Sequence, residues 1–164
     1  GAALGFRSHA NGTSVILRHV TMARPAFAPV GIVGSLIAGT GGEAGLVLNV
    51  FNSILSGSCA LEAAAMDANL GSIESPGDSC DFSAANNFVN VSSGNLALGT
   101  LADHGGPTTT YEPAPTSPAI NNANGTFCLA TDQRNYVRPF GGGCDIGSTE
   151  VGSRTDAVFT NGFE

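Results

Sequence analysis

"NSILSG", residues 52 to 57, is echoed by "GSIESP" at 71 to 76 and by "GSLIAG" at 34 to 39. The segments align on Ser35, Ser53 and Ser72, in steps of 18 and 19 residues, and each serine is followed by an aliphatic residue: Leu36, Ile54 and Ile73. A fixed period of this length is about one rung of a solenoid, in which no repeat can bury its apolar face alone and each stacks on the next. "HVTMAR" (19 to 24) is a weaker, earlier copy, and "FVNVSS" (88 to 93) reads as a later one. Around these cores run "SVILRHVTM" and "LVLNVFNSIL", β-branched and closed by Gly, Asn or Ser, the pattern of short strands joined by tight corners.

Stacked strands lie about 4.8 Å apart, so equivalent residues form rows, and Leu36, Ile54 and Ile73 are expected to share one. Asn and Ser at the corners can stack too, their side chains satisfying backbone groups that the bends leave unpaired. "CALEAAAMDANL" (59 to 70) departs from the pattern: its Ala, Leu, Glu and Met favour helix, and it is expected to be a short helix or a bulging loop between rungs.

Composition agrees with such a chain. With 164 residues, 42% hydrophobic, there is material for one core and too much apolar content for wholesale disorder. The 23 glycines, with Asn, Ser and Thr in place of Lys and Glu, imply many turns and few helices. Six arginines against thirteen acids leave a net charge of −7, which opposes nucleic acid and anionic membrane surfaces as partners. No lysine is present, which excludes Schiff-base chemistry and a P-loop, so "GTGGEAG" (39 to 45) reads as a turn. The longest apolar run, Pro29 to Gly39, is eleven residues with three glycines, too short to span a bilayer. Opening at Gly1 without a Met or a basic-then-apolar leader, the chain reads as a processed product or a fragment.

Cysteines stand at 59, 80, 128 and 144, with none of the short CxxC spacings of zinc or thioredoxin-like sites. Structural disulfides follow, and with them an oxidising, extracytoplasmic compartment. Three pairings are open; loop length and the repeat favour Cys59–Cys80 and Cys128–Cys144. The first would staple adjacent rungs, with a stabilisation on the order of 3 kcal/mol.

The second half carries "GTLADHGGPTTTYEPAPTSPAINNA" (99 to 123) and "CLATDQRNYVRPFGGGCDIGSTE" (128 to 150). The order of L-x-D-x-GGPT, SPAI, C-x-ATDQR, RP and C-DIG-x-x-E resembles the C-terminal region of bacterial choice-of-anchor Q proteins. The resemblance covers roughly residues 46 to 150, the repeat half in style only. His104 stands where that family usually has Asn, and "RNYVRPF" replaces a more usual Arg-Gly start. The resemblance implies a secreted, cell-surface, right-handed parallel β-helix related to adhesin-like repeats. Most members have no assigned reaction, so it bears on fold and location more than on activity.

Chemistry concentrates in "TDQRNYVRPFGGGCDIGSTE" (131 to 150). A catalytic reading pairs Asp132 with Asp145 and lets Arg134 and Arg138 steady an acidic sugar. A structural reading has Asp132 and Arg134, two apart on an extended segment, face the same side and bond each other or backbone, while Cys128–Cys144 closes the end. The structural clasp of Asp132, Arg134, Arg138 and Asp145 is preferred, because a solenoid end must be capped. Asp103–His104 before Gly105–Gly106–Pro107 reads as a tight turn rather than half of a dyad. His9 and His19 form no ligand pair, and Asp78 and Asp81 in "GDSCD" lack calcium-loop spacing, so neither a metal nor a cofactor is expected. The sequons at Asn11, Asn90 and Asn124 read as chance in a bacterial chain.

The expected architecture is all-β: a right-handed parallel β-helix over residues 1–95, its rungs from about residue 12, a turn-rich, disulfide-clasped cap over 96–151, and a tail, 152–164, whose "DAVFTNGFE" suits one last strand. The expected role is non-catalytic, structural or adhesive, outside the cell or on a bacterial surface, with surface glycans or further copies of the chain as partners. Two alternatives are a self-assembling extracellular filament subunit, through the open edge of the first rung, and the C-terminal part of a polysaccharide-degrading enzyme.

Overall fold

Short β-branched runs interrupted by corner residues do form strands. The computed structural model describes residues 4–7, 14–24, 37–40, 46–60 and 64–154. Its strands are β1 (Leu4–Arg7), β2 (Ser14–Arg18), β3 (Thr21–Ala23), β4 (Ile37–Thr40), β5 (Leu46–Phe51), β6 (Ile54–Ser56), β7 (Cys59–Ala60), β8 (Ala64–Leu70) and β9 (Ile73–Ser75). Pairing is parallel and skips along the chain, giving three sheets ordered β1-β4-β7, β2-β5-β8 and β3-β6-β9. Beyond Ser75 the described chain is turns and isolated bridges, with a four-residue helix, α1 (Ser93–Leu96), and a 3-10 turn at Gly125–Phe127. This is an all-β chain with two disulfides.

The corners between paired strands repeat. His19, Asn52 and Gly71, at equivalent corners after β2, β5 and β8, each adopt the left-handed conformation, with φ of 51°, 50° and 65°. The amides that follow are satisfied sideways by side chains one level on. Val20 N donates to Ser53 Oγ (3.1 Å), Ser53 N to Ser72 Oγ (3.1 Å) and Ser72 N to Asn87 Oδ1 (2.9 Å). This ladder accounts for the repeated serines at 53 and 72.

The third copy does not join them. Thr21 pairs with Ile54, Ile54 with Ile73, and Ile73 bridges Phe88, so "HVTMAR" and "FVNVSS" extend this row. "GSLIAG" instead leads into β4, which lies in another sheet between β1 and β7; Ser35 and Leu36 themselves fall outside the described residues. The expected place of Leu36 in this row lies outside the described residues. Within it, the step from Thr21 to Ile54 takes 33 residues and the step from Ile54 to Ile73 takes 19.

"CALEAAAMDANL" is also corrected. It is strand at Cys59–Ala60 and Ala64–Leu70, where β8 lies along β5 with one irregularity that takes up Asp67. Helix propensity, a few tenths of a kcal/mol per residue, yields to a waiting ladder of backbone partners. In "GTGGEAG", Gly39 and Thr40 belong to β4, and residues 41–45 lie outside the described chain.

Alternation gives the sheets two apolar faces and the molecule two clusters. Leu17, Leu48, Val50 and Leu55 pack with Cys80 and Phe82, joined by half-buried Cys59 and Met22, so that residues of all three sheets meet in one cluster. On the other face of β3-β6-β9, Ile54 and Ile73 pack against Leu96, Ala119 and Ile146. The turn-rich second half therefore lies on this sheet and shares a core with it. The cysteines pair as Cys59–Cys80 and Cys128–Cys144, with Cα atoms 4.9 and 6.2 Å apart. One disulfide ties β7 to the segment after β9, and the other draws the 3-10 turn towards Asp145.

Candidate functional site

Residues 131–137 double back on themselves. Thr131 bridges Val137 antiparallel, Asp132 N donates to Tyr136 O (2.8 Å), and Asn135 takes a left-handed φ of 65° at the tip. The extended segment expected for Asp132 and Arg134 is thus a tight loop. They are brought together because an aspartate can accept the amides of its own turn, which a straight strand would not offer.

Asp132 is buried and saturated. Its Oδ1 accepts from Arg134 N (2.7 Å) and Tyr136 N (3.0 Å), and its Oδ2 accepts from Arg134 Nε (2.9 Å), Arg134 Nη2 (2.7 Å) and Glu150 N (2.9 Å). Arg134, 4% exposed, spends its remaining donors on Glu112 Oε2 (2.7 Å) and Glu150 O (2.6 Å), and its guanidinium lies 4.4 Å from the centre of the Tyr136 ring. Nε and Nη2 converge on one oxygen of Asp132 while Nη1 reaches Glu112 on the other side, a planar spread of donors lysine could not supply.

A second arginine ties residues 145–150 in the same way. Arg138 donates to Glu150 Oε2 (2.8 Å) and to the carbonyls of Asp145 (2.8 Å) and Gly147 (2.8 Å). Glu150, fully buried, also accepts from Phe140 N (2.6 Å) and Asp145 N (2.9 Å). Asp145 accepts from Asn121 N (2.7 Å) through one oxygen and Val151 N (2.7 Å) through the other. Burial pushes the carboxyls of Asp145 and Glu150 above their ordinary range, while these amide bonds and Arg138 pull them back. Asp132, Arg134, Arg138 and Asp145 thus belong to one network, with Glu150 at its centre and Glu112 at its rim.

The loop with Asp103 and His104 lies over this network. Asp103 Oδ1 accepts from Gly105 N (2.9 Å), and His104 Nδ1 lies 3.1 Å from both Thr110 O and Thr110 Oγ1. Gly106 has φ +84°, and a side chain there would run into Arg134 Cα at 2.6 Å; Gly105 sits as closely on the Tyr136 hydroxyl. The Gly-Gly pair is therefore a close approach of backbone to the clasp as well as a turn.

Sequence reasoning missed a second anchor. His19 is buried, with Nδ1 3.2 Å from Gly147 O and Nε2 3.1 Å from Asn52 Nδ2. Asn52 also donates to Asn124 O (3.0 Å) and accepts from Asn124 N (2.7 Å). Its side-chain amide thus imitates a strand partner for residue 124. Nothing in the spacing of His19 marked this, whereas the position of Glu150 at the end of C-DIG-x-x-E could have. Glu74, fully buried beside Leu55 and paired with it in register, was also unmarked; its Oε1 accepts from Cys80 N (2.7 Å) and Ser79 Oγ (3.2 Å), and burial raises its carboxyl.

Acid–base chemistry on a sugar needs a carboxylate oxygen that the substrate can reach. Every carboxylate oxygen of Asp132, Asp145 and Glu150 is instead committed to N–H donors of the protein. Asp78 and Asp81 are exposed, and among the described residues no three His, Cys, Asp or Glu side chains gather as metal ligands. Comparison with protein-family models, with curated proteins and with solved structures gave no match.

Proposed function

We propose that this chain is a non-catalytic structural or adhesive unit that works outside the cytoplasm, at a cell surface. The observation that carries the reading is that both carboxylate oxygens of Asp132, Asp145 and Glu150 are committed to N–H donors of the protein: the acids that would have to turn over a substrate are consumed in holding residues 121, 134–140 and 145–151 together. Its fold, on this proposal, is a short right-handed parallel β-helix of the choice-of-anchor Q kind. Three parallel sheets that each take every third strand, and the Val20–Ser53–Ser72–Asn87 ladder, support that reading. Two disulfides fit an oxidising compartment, and among the described residues no helix is long and apolar enough to cross a membrane.

Self-assembly by edge pairing is less well supported. It needs open strands at both ends, yet beyond β9 the amides of Gly71, Ser72 and Glu74 are taken by Asn86, Asn87 and Phe88. The test is incubation of the oxidised protein with neutral and acidic polysaccharides, with reducing ends and unsaturated products assayed, beside binding to whole cells. Binding without turnover is expected. Turnover that disappears in Asp132→Ala while the melting temperature stays put would make the network an active site and end the structural reading.

A further inference from the structure

We propose that the groove between α1 and the Thr116–Pro118 turn binds an uncharged pyranose glycan. This deepens the adhesive reading and rests on it. The groove has a volume of about 630 Å³, within the range of roughly 300 to 1,000 Å³ common for small-ligand sites. Its polar lining is Asn90, Ser92, Asn95 and Thr116, its apolar lining includes Val91 and Pro118, and no charged residue borders it.

The groove is built rather than incidental. Asn90 is held in a left-handed turn, φ 53°, by its amide bond to Gly77 O (2.9 Å). Val91 packs on the Ile54–Ile73 cluster and its amide bonds Glu74 O (3.1 Å). α1 is capped at its start by Ser92 Oγ, which accepts from Asn95 N, and pinned by buried Leu96. Opposite, Ser117 is buried and its amide bonds Ala114 O (2.9 Å). Both walls are thus fixed before any ligand arrives, which lowers the ordering cost of binding.

The lining chemistry selects the ligand. The side chains of Asn90, Asn95 and Thr116 make no hydrogen bond within the described residues, and the Ser92 hydroxyl keeps its proton to donate. A carboxamide presents a donor and an acceptor side by side, the pattern of two neighbouring ring hydroxyls, and each hydroxyl can act in either sense. Val91 and Pro118 offer surface to the C–H face of the ring. An acidic sugar would meet no cation in the groove and a chain of net charge −7 around it.

Gly94 supplies the test. It lines the groove inside α1, and a side chain built there meets nothing within 4 Å. Gly94→Trp therefore places a bulky ring at the groove wall without a clash at its Cβ, and melting temperature and disulfide content are expected to match the parent. The oxidised full chain is applied to an array of neutral and acidic glycans, and hits are titrated by calorimetry. The parent is expected to bind at least one neutral glycan, Gly94→Trp to lose at least tenfold in affinity, and Asn95→Ala and Thr116→Val to lose about fivefold each. A neutral glycan bound equally well by parent and Gly94→Trp overturns the groove and leaves the adhesive reading standing. The same follows if no neutral glycan, or only an acidic one, is bound while the protein still attaches to cells. Binding lost in Gly94→Trp together with turnover of the glycan by the parent keeps the groove and overturns the non-catalytic reading.

Discussion

At Asp132, one carboxylate terminates five N–H groups from three residues, and a single substitution leaves all of them without an acceptor. Removing one partner of a buried ion pair costs more than the pair contributes, because the other charge stays buried. Asp132→Ala is therefore expected to destabilise by about 3 kcal/mol or more, read by chemical denaturation; a loss within about 0.5 kcal/mol would mean the network is ornamental. His19 makes a different forecast. Burial first, and Arg138 second, push its imidazole down from 6.5 to about 4, so it is neutral in the fold and takes a proton near 6.5 when unfolded. Stability from this group is full above pH 6.5 and is lost as pH falls from 6.5 to 4, by an amount on the order of 3 kcal/mol. The raised carboxyls of Glu74, Asp145 and Glu150 act in the opposite sense, since protonation relieves the cost of their burial. Comparison with His19→Asn, which suits a left-handed φ, cancels them. The difference in melting temperature between parent and variant should shrink or change sign across that window, and a constant difference would refute the assignment.

At the scale of strands and corners, the Ser53–Ser72 ladder replaces backbone hydrogen bonds that a continuous strand would make to its neighbour. Ser72→Ala strands the buried amide of Ser53 and should cost about 1 to 3 kcal/mol, whereas Ser93→Ala, at an exposed position of α1, should cost almost nothing. Gly71→Ala should be worse than either, since a methyl there would lie 2.5 Å from Asn52 Oδ1 and 2.6 Å from Asn124 N at a φ of +65°. Equal melting of Gly71→Ala and Ser93→Ala would contradict this corner geometry. These elements also show what was legible. Ser53 and Ser72 could be aligned because both residues sit on the same corner and face the same physical demand. β4, which follows the third copy, pairs in another sheet, and spacing alone carries no record of which sheet a strand joins. Likewise 59–70 reads as helix only in isolation; pairing with β5 is a property of the stack. Asp132 with Arg134 was visible as charge in a charge-poor chain. The part played by Glu112 was not, because it comes from 22 residues away in sequence.

For the molecule as a whole, sheet β3-β6-β9 contributes to both apolar clusters, and among the described residues its Ile54–Ile73 face is covered by residues of the second half of the chain. Truncation after residue 95 is expected to give a chain that does not fold to a cooperative transition, as judged by thermal melting and binding of a hydrophobic dye; a cleanly melting fragment would show that the halves are independent. Peptide mapping without reductant should recover Cys59 with Cys80 and Cys128 with Cys144, and any crossed pair would contradict the arrangement of the two halves. The contact between His19 and Gly147 joins positions 128 residues apart. Long-range closures of this kind come late, because chain entropy must be lost before the contact can form. During synthesis the strands through β9 emerge first, and Ile54 and Ile73 then wait, uncovered, until residues 119–146 have followed them out. The time that wait lasts, rather than the strength of the finished fold, is where a holding chaperone or a slow codon before those for residues 119–146 would change the yield of native protein.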